Sequence, residues 1–225
     1  FYTKIKSQFP EHTYSYFADQ KNCPYGNKSY LELEQIAEDW IDLLKEKQID
    51  VLVIACNTLT ALFKDKFKEE LNIPVIGTTD GLEKKSYSNE DIVLLATVKT
   101  VQSSLYEKVL PTARLHKVGN TWLAAKIEKS FALTPEELQL LKQEVESLVG
   151  TQWRKLILGC THYPLVKDYL KIVWPTKEFI DPAVTIVNEL NKYLHTDTNG
   201  RNQTLMYTTG DVKVLNEQVS TFFKE

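Results

Sequence analysis

Two stretches of the chain share one arrangement of apolar and polar positions. Val51 to Leu62 reads VLVIACNTLTAL and Lys155 to Val166 reads KLILGCTHYPLV. In each, an apolar run closes on a small residue, Ala55 or Gly159, then a cysteine, and polar side chains lead into a helical segment. Such a run predicts a buried strand, and its polar sequel predicts a strand-to-helix turn that carries Cys56 in one case and Cys160 in the other. The same figure met twice, about a hundred residues apart, suggests two similar half-domains.

The remaining pattern fills in around these units. Phe1 to Phe9 reads as the later part of an amphipathic helix ending before Pro10, and His12 to Phe17 alternates as a strand does. Ser29 and Glu32 form a capping box ahead of Leu33, Ile36, Ala37, Trp40, Ile41 and Leu44, apolar at helical spacing as far as Lys47. Asp50 to Ala55 is predicted as a strand, Leu59 to Leu71 as a helix and Ile73 to Gly77 as a strand, an order that implies parallel pairing with right-handed crossovers. Thr78 to Asn89 is polar and turn-rich, a place for a domain crossover.

Beyond it, strands are expected at Ile92 to Ala96, Arg114 to Val118 and Glu178 to Ile180. Helices are expected at Trp122 to Ser130, from the capped start Thr134-Pro135-Glu136-Glu137, and from Asp181-Pro182 to Leu194. His195 to Gln203 reads as a loop. A strand at Thr204 to Thr208, a Gly210-Asp211 turn and an amphipathic helix with Leu215, Val219, Phe222 and Phe223 end the chain. The expected fold is α/β, with two similar parallel-sheet domains related by a pseudo-twofold axis. Ligands of open parallel sheets sit at the carboxyl ends of strands, so two facing halves would place one cysteine on either wall of a cleft.

Composition narrows the function. The 225 residues suffice for one large or two small domains. A balance of 27 Lys+Arg against 30 Asp+Glu gives no basic footprint for nucleic acid. No apolar run approaches a membrane span and no signal-like segment opens the sequence. Three cysteines, an odd number with no closely spaced pair, argue against a disulfide scaffold and for a reducing, cytoplasmic setting. No glycine-rich phosphate loop precedes a helix and no pyridoxal-phosphate site is visible, so no cofactor is expected. A zinc site built from Cys56, Cys160 and His162 would lack the close ligand pair such sites usually show, and no metal is expected. Cys23 alone reads as a small loop or core residue.

At Ala55-Cys56-Asn57-Thr58 and at Leu158-Gly159-Cys160-Thr161-His162-Tyr163-Pro164-Leu165 the sequence resembles the paired signatures of the cofactor-independent aspartate/glutamate racemase family, the second being the more specific. Asp19, Pro24, Tyr25 and Gly26 match the spacing of that family's Asp-Thr-Ala-Arg-x-Pro-Tyr-Gly segment, while Gln20, Lys21 and Asn22 depart from it. Taken alone, Pro24-Tyr25-Gly26 is an ordinary turn. Thr97 to Ser103 resembles the family's Thr-x-x-Thr-x-x-Ser turn. There, hydroxyls and N–H groups at a helix start suit a carboxylate, and Thr97 and Thr100 can equally be caps without a ligand. Of the family's Cys-Pro-x-Phe-Val-Pro-Leu-Val-Glu run, only the apolar residue before the acid and Glu128 remain, and Glu128 by itself reads as a solvated surface residue.

The resemblance implies that the C-terminal elements return to the first domain, giving residues 1–78 with 187–225 as one unit and 79–186 as the other. It also implies an opening strand and Asp-Ser turn that have no counterpart here. The expectation is that they precede Phe1, or else that this is a divergent member lacking them. It further implies a catalytic set of Cys56, Cys160, His162, Asp19 and Glu128, with Cys56 taking the α-proton of a D-amino acid and Cys160 that of the L-enantiomer, and substrate contact at Tyr25 and Gly26.

Inversion needs a base on one face of the α-carbon and an acid on the other, which two thiols supply. Asn57, Thr58 and Thr161 are candidates to hold the substrate's carboxylate and amine. The implied substrate is glutamate, with D-glutamate destined for peptidoglycan. Aspartate or another small amino acid, and an inactive binding homologue, are the alternatives. A homodimer is compatible with the resemblance.

Overall fold

The computed structural model describes residues 1–84, 87–194 and 203–222, so that the expected loop at 195–203 falls, but for Gln203, outside the described residues, as does Phe223. In chain order the elements are α1 (Tyr2–Gln8), β1 (Tyr14–Ala18), α2 (Tyr30–Lys45), β2 (Leu52–Val53), α3 (Asn57–Leu71) and β3 (Val75–Ile76). Then come β4 (Asp91–Thr97), α4 (Val98–Gln102), α5 (Leu105–Val109), β5 (Arg114–Asn120), α6 (Leu123–Ser130) and α7 (Pro135–Val149). The last are β6 (Lys155–Gly159), α8 (Lys167–Val173), β7 (Glu178–Ile180), α9 (Ala183–Leu190), β8 (Thr204–Thr208) and α10 (Val212–Phe222). Short 3-10 helices cover Tyr25–Asn27, Leu82–Lys84 and Tyr163–Val166.

Every strand pairing among the described residues is parallel. A four-stranded sheet runs in the order β5-β4-β6-β7, and two ladders pair β1 with β8 and β2 with β3. The two central strands, β4 and β6, are covered on both faces, which is why they are nearly continuously apolar rather than alternating. Val93, Leu95, Leu156 and Leu158 point to one side, into a cluster with Leu123, Ile127, Leu141, Val145 and Leu170 of α6, α7 and α8. Ile92, Leu94, Ala96 and Ile157 point to the other, against Tyr106 and Leu110. Successive residues of a strand face opposite ways, so one apolar run serves two cores.

Local signals account for most boundaries. Ser29 and Thr134 each close a capping box, with Glu32 and Glu137 reaching back to the capping residue's N–H. The first thiol-bearing unit differs from expectation. Its strand contracts to Leu52–Val53, and α3 starts at Asn57, with Cys56 in extended conformation as its N-cap. Asn57 and Thr58 look like turn residues in sequence because their side chains are polar, yet both are buried in the first turn of the helix. The final helix of the central region stops at Leu190, short of Leu194, and Ile186 and Leu190 pack with Ile5 and Ile76 of the ladder region. No helix among the described residues is long and apolar enough to cross a membrane.

Gly159 and Tyr163 flank the second thiol under opposite constraints. A Cβ on Gly159, which pairs with Ala96 across the sheet, would come within 2.7 Å of both Ala96 Cβ and Leu94 Cδ1. Tyr163 is fully buried, and among the described residues its hydroxyl has no hydrogen-bond partner. Overpacking of this kind costs about 1–3 kcal/mol, so Gly159→Ala is expected to lower the midpoint of urea unfolding accordingly. An unmade buried hydrogen bond costs a similar amount, so Tyr163→Phe is expected to match or exceed the parent in the same assay. A Gly159→Ala protein as stable as the parent would contradict the packing described here.

Candidate active site

Strand β6 ends at Gly159 and delivers Cys160, 8% exposed, to its carboxyl edge. The turn that follows folds His162 back so that Nδ1 lies 3.7 Å from Cys160 Sγ. The other ring nitrogen, Nε2, is 2.7 Å from Glu128 Oε2 and 3.9 Å from Cys23 Sγ. Glu128 comes from α6 and is half-buried, so the solvated surface position read from sequence does not hold. Its second oxygen, Oε1, accepts from Gln218 Nε2 of α10 at 2.9 Å. Gln218 Oε1 accepts in turn from Gln20 Nε2 at 2.7 Å, and Gln20 Oε1 accepts from the Thr208 hydroxyl at 2.7 Å. A continuous hydrogen-bonded line therefore runs from the end of β8 to the thiol of Cys160.

The charges along this line favour one another. Burial works against a charged imidazole at His162, but contacts with Cys160, Cys23 and Glu128 outweigh it and hold the ring's pKa well above its ordinary value. The hydrogen bond to His162 keeps the Glu128 carboxyl below its ordinary range despite burial. As imidazolium, His162 donates from both nitrogens, so Nε2–H engages Glu128 while Nδ1–H is directed at Cys160. Because the folded-state pKa is raised, the stability this group contributes is fully present below its unfolded value of about 6.5 and is lost as pH climbs through the raised value.

Cys56 is arranged differently. Burial pushes its thiol up to about 12; the backbone N–H groups of Leu59 and Thr58 at the start of α3 pull the other way, and negative charge on Cys160 or Cys23 would raise it further. Cys56 packs, as does Tyr25, against the apolar cluster that includes Leu33, Leu59 and Phe63.

Asp19 and Tyr25 form a second group. The Asp19 carboxylate accepts from the Tyr25 hydroxyl, from Thr209 Oγ1 at 2.6 Å, from Asn22 Nδ2 at 3.0 Å and from Trp40 Nε1 at 3.3 Å. Burial opposes its ionisation, but these four donors hold its pKa below the ordinary value. Tyr25 is pushed up by burial and by Asp19, and it packs against the same apolar cluster as Cys56. Gly26 is buried against Thr97, and a Cβ there would lie 2.6 Å from Thr97 Cβ. Only glycine lets the Pro24-Tyr25-Gly26 turn come this close.

A buried polar seam joins the first turns of α3 and α4. Thr97 is the N-cap of α4 but makes no side-chain cap bond. Its hydroxyl lies 3.2 Å from Thr58 Oγ1 and 3.0 Å from Thr100 Oγ1. Asn57 Oδ1 accepts from the hydroxyls of Thr78 at 2.8 Å and Tyr106 at 2.9 Å. Thr161 is half-buried on the turn between Cys160 and His162.

The structure thus gathers Cys160, His162 and Glu128 into one line, Asp19 and Tyr25 beside Cys56, and Asn57, Thr58, Thr97, Thr100 and Gly26 into the seam. Sequence reasoning missed Cys23, Gln20 and Gln218. Cys23 directly precedes the Pro24-Tyr25-Gly26 match, a signal that was present; nothing local marks Gln218, whose partner Glu128 is 90 residues away. Two cavities, of about 300 and 800 Å³, lie elsewhere, by Asn120 and Glu144 and at the amino edge of the central sheet by Asp91 and Lys155. Chemistry-bearing side chains converge at the opposite, carboxyl edge, where parallel sheets place their ligands.

Solved structures that share this parallel α/β fold are amino-acid racemases, a class of isomerase. The family described as Asp/Glu/Hydantoin racemase matches residues 2–190, and the chain belongs to it. Glutamate racemase 2 of Caldanaerobacter subterraneus subsp. tengcongensis is 34% identical over 192 residues, covering 82% of this chain and 72% of that protein. The glutamate racemase of Oceanobacillus iheyensis is 28% identical, over 99% of this chain and 86% of its own length. Among solved structures, a glutamate racemase isoform from Bacillus anthracis superposes with a TM-score of 0.84 at 30% identity, covering 98% of this chain and 88% of that one. The glutamate racemase of Francisella tularensis in complex with D-glutamate gives 0.83 at 26% identity, covering 100% of this chain and 88% of that one.

The electrostatics are open to direct measurement. NMR titration of His162 is expected to give a pKa clearly above 6.5, and Glu128→Gln is expected to bring it down by removing the anion at Nε2. An unchanged His162 pKa in Glu128→Gln would mean that the 2.7 Å contact does not set the charge of the ring.

Proposed function

We propose that this chain interconverts L- and D-glutamate by two-thiol acid/base chemistry, in a cleft between an α/β domain of residues 1–78 with 187–225 and a second of residues 79–186. The observation that carries the reading is the Cys160–His162–Glu128 line on one strand-to-helix turn, with Cys56 standing as the N-cap of α3 on the other. Relatives named as glutamate racemases support the substrate, and one solved neighbour holds D-glutamate.

In this reading Cys56 removes the α-proton of D-glutamate: an S–H bond forms, the C–H bond breaks, and its electron pair stays on the α-carbon. Cys160 then delivers its proton to the opposite face, and L-glutamate follows the reverse course. His162 Nδ1 returns a proton to Cys160 or takes one away, and Glu128 holds the ring and stabilises its charged form. Asp19 stays ionised and positions Tyr25 beside Cys56. Cys56 acts as the thiolate, its S–H proton released to solvent before the α-proton is taken, and the N–H groups of Leu59 and Thr58 at the start of α3 favour that form. Asn57, Thr58, Thr97, Thr100 and Thr161, with Tyr25 and Gly26, are the groups assigned to the substrate's carboxylate and amine and to the charge that develops at the α-carbon. The D-glutamate formed would serve peptidoglycan synthesis in a bacterial cytoplasm.

Incubation of D- or L-glutamate in heavy water is expected to place deuterium at the α-carbon. Cys56→Ser is expected to suppress exchange mainly from the D-substrate and Cys160→Ser mainly from the L-substrate, each by about 10²–10⁴-fold. No exchange with glutamate, or exchange indifferent to both substitutions, would overturn the proposal, and exchange with aspartate alone would reassign the substrate.

A further inference from the structure

Cys23 lies outside the proton-transfer scheme, yet its sulfur points at the same imidazole nitrogen as Glu128. We infer that Cys23, Glu128 and His162 form a binding site for a borderline-soft divalent cation of the zinc class, and that its occupation arrests proton transfer at Cys160. Three separate elements supply the ligands: the loop after β1, helix α6 and the turn after β6. Cys23 Sγ, Glu128 Oε2 and His162 Nε2 all lie within 4.8 Å of one another, and all three residues are half-buried. The Sγ–Nε2 distance is 3.9 Å and the Nε2–Oε2 distance 2.7 Å. Tetrahedral zinc with one sulfur, one nitrogen and one oxygen ligand sets those atoms about 3.3–3.6 Å apart, so the trio needs only small side-chain shifts to close around an ion.

The donor chemistry is selective. A thiolate, an imidazole and a carboxylate suit zinc or cobalt and not magnesium or calcium, which take oxygen. Three protein ligands leave a fourth position open for water or a substrate carboxylate. The surroundings also support it: Gln218 holds the free oxygen of Glu128, and Nδ1 of His162 is oriented by Cys160. Binding replaces the S–H proton of Cys23 and the Nε2 proton of His162, both released to solvent, with metal–ligand bonds. The metallated ring can no longer gain charge by taking a proton at Nδ1 while Glu128 balances it. The arrest therefore rests on the assignment of His162 under the proposed function, whereas the binding does not.

Equilibrium dialysis with Zn(II) and the thiolate-to-metal charge-transfer band of Co(II) read the binding without reference to activity. The parent protein and Cys56→Ser are expected to bind one equivalent with the band present. Cys23→Ser and Cys23→Ala are expected to lose the band and to bind more weakly than the 10–100-fold penalty roughly typical of losing an orienting partner alone. Whatever racemisation the two Cys23 variants retain is expected to resist zinc that inhibits the parent. Absence of binding to the parent, binding undiminished in both Cys23 variants, or loss of the band in Cys56→Ser would overturn the site. Stoichiometric binding at Cys23 without inhibition would overturn the arrest. Binding at Cys23 by a protein that racemises nothing would uphold the site while defeating the functional reading.

Discussion

The contact between His162 Nε2 and Glu128 Oε2, 2.7 Å long, ties the chemistry to the fold. It joins the turn after β6 to helix α6, fixes the ring so that its other nitrogen meets Cys160, and supplies the anion that a charged imidazole needs away from water. Its partners extend outward through Gln218, Gln20 and Thr208, so side chains from α10, the loop after β1 and β8 all bear on the position of one carboxylate. A buried ionic group is tolerable only where its remaining hydrogen-bond capacity is met, and Glu128 has a partner on each oxygen.

The second constraint is the polar seam at the starts of α3 and α4. Asn57, Thr58, Thr97 and Thr100 are all buried, and such groups are costly unless paired. They pair with one another and with Thr78 and Tyr106, which holds the two helix starts in fixed relation and with them the backbone around Cys56. Gly26 and Gly159 serve the same end by absence of bulk: one allows the Tyr25 turn to rest on Thr97, and the other lets β6 lie against Ala96.

Much of this was legible in the sequence where the determinants are local. The capping boxes at Ser29 and Thr134, the strand at Glu178–Ile180 and the apolar run of β4 all follow from neighbours in the chain. The repeated strand, cysteine and helix figure marks the two turns that carry Cys56 and Cys160. What escaped was decided by distant partners. Glu128 read as a surface residue because its amphipathic helix has a polar face, and only folding brings His162 and Gln218 to it. Cys23 read as filler for the same reason. The short β2 and β3 could not be sized from apolar runs, because burial beside α3 sustains the run beyond the residues that pair.

A crystal structure of the protein with D-glutamate is the most direct test of the account. The account predicts the α-carbon between the sulfur atoms of Cys56 and Cys160, with His162 Nδ1 still directed at Cys160 and Glu128 still at Nε2. An α-carbon bound out of reach of either sulfur, with the His162–Glu128 contact intact, would contradict the two-thiol site.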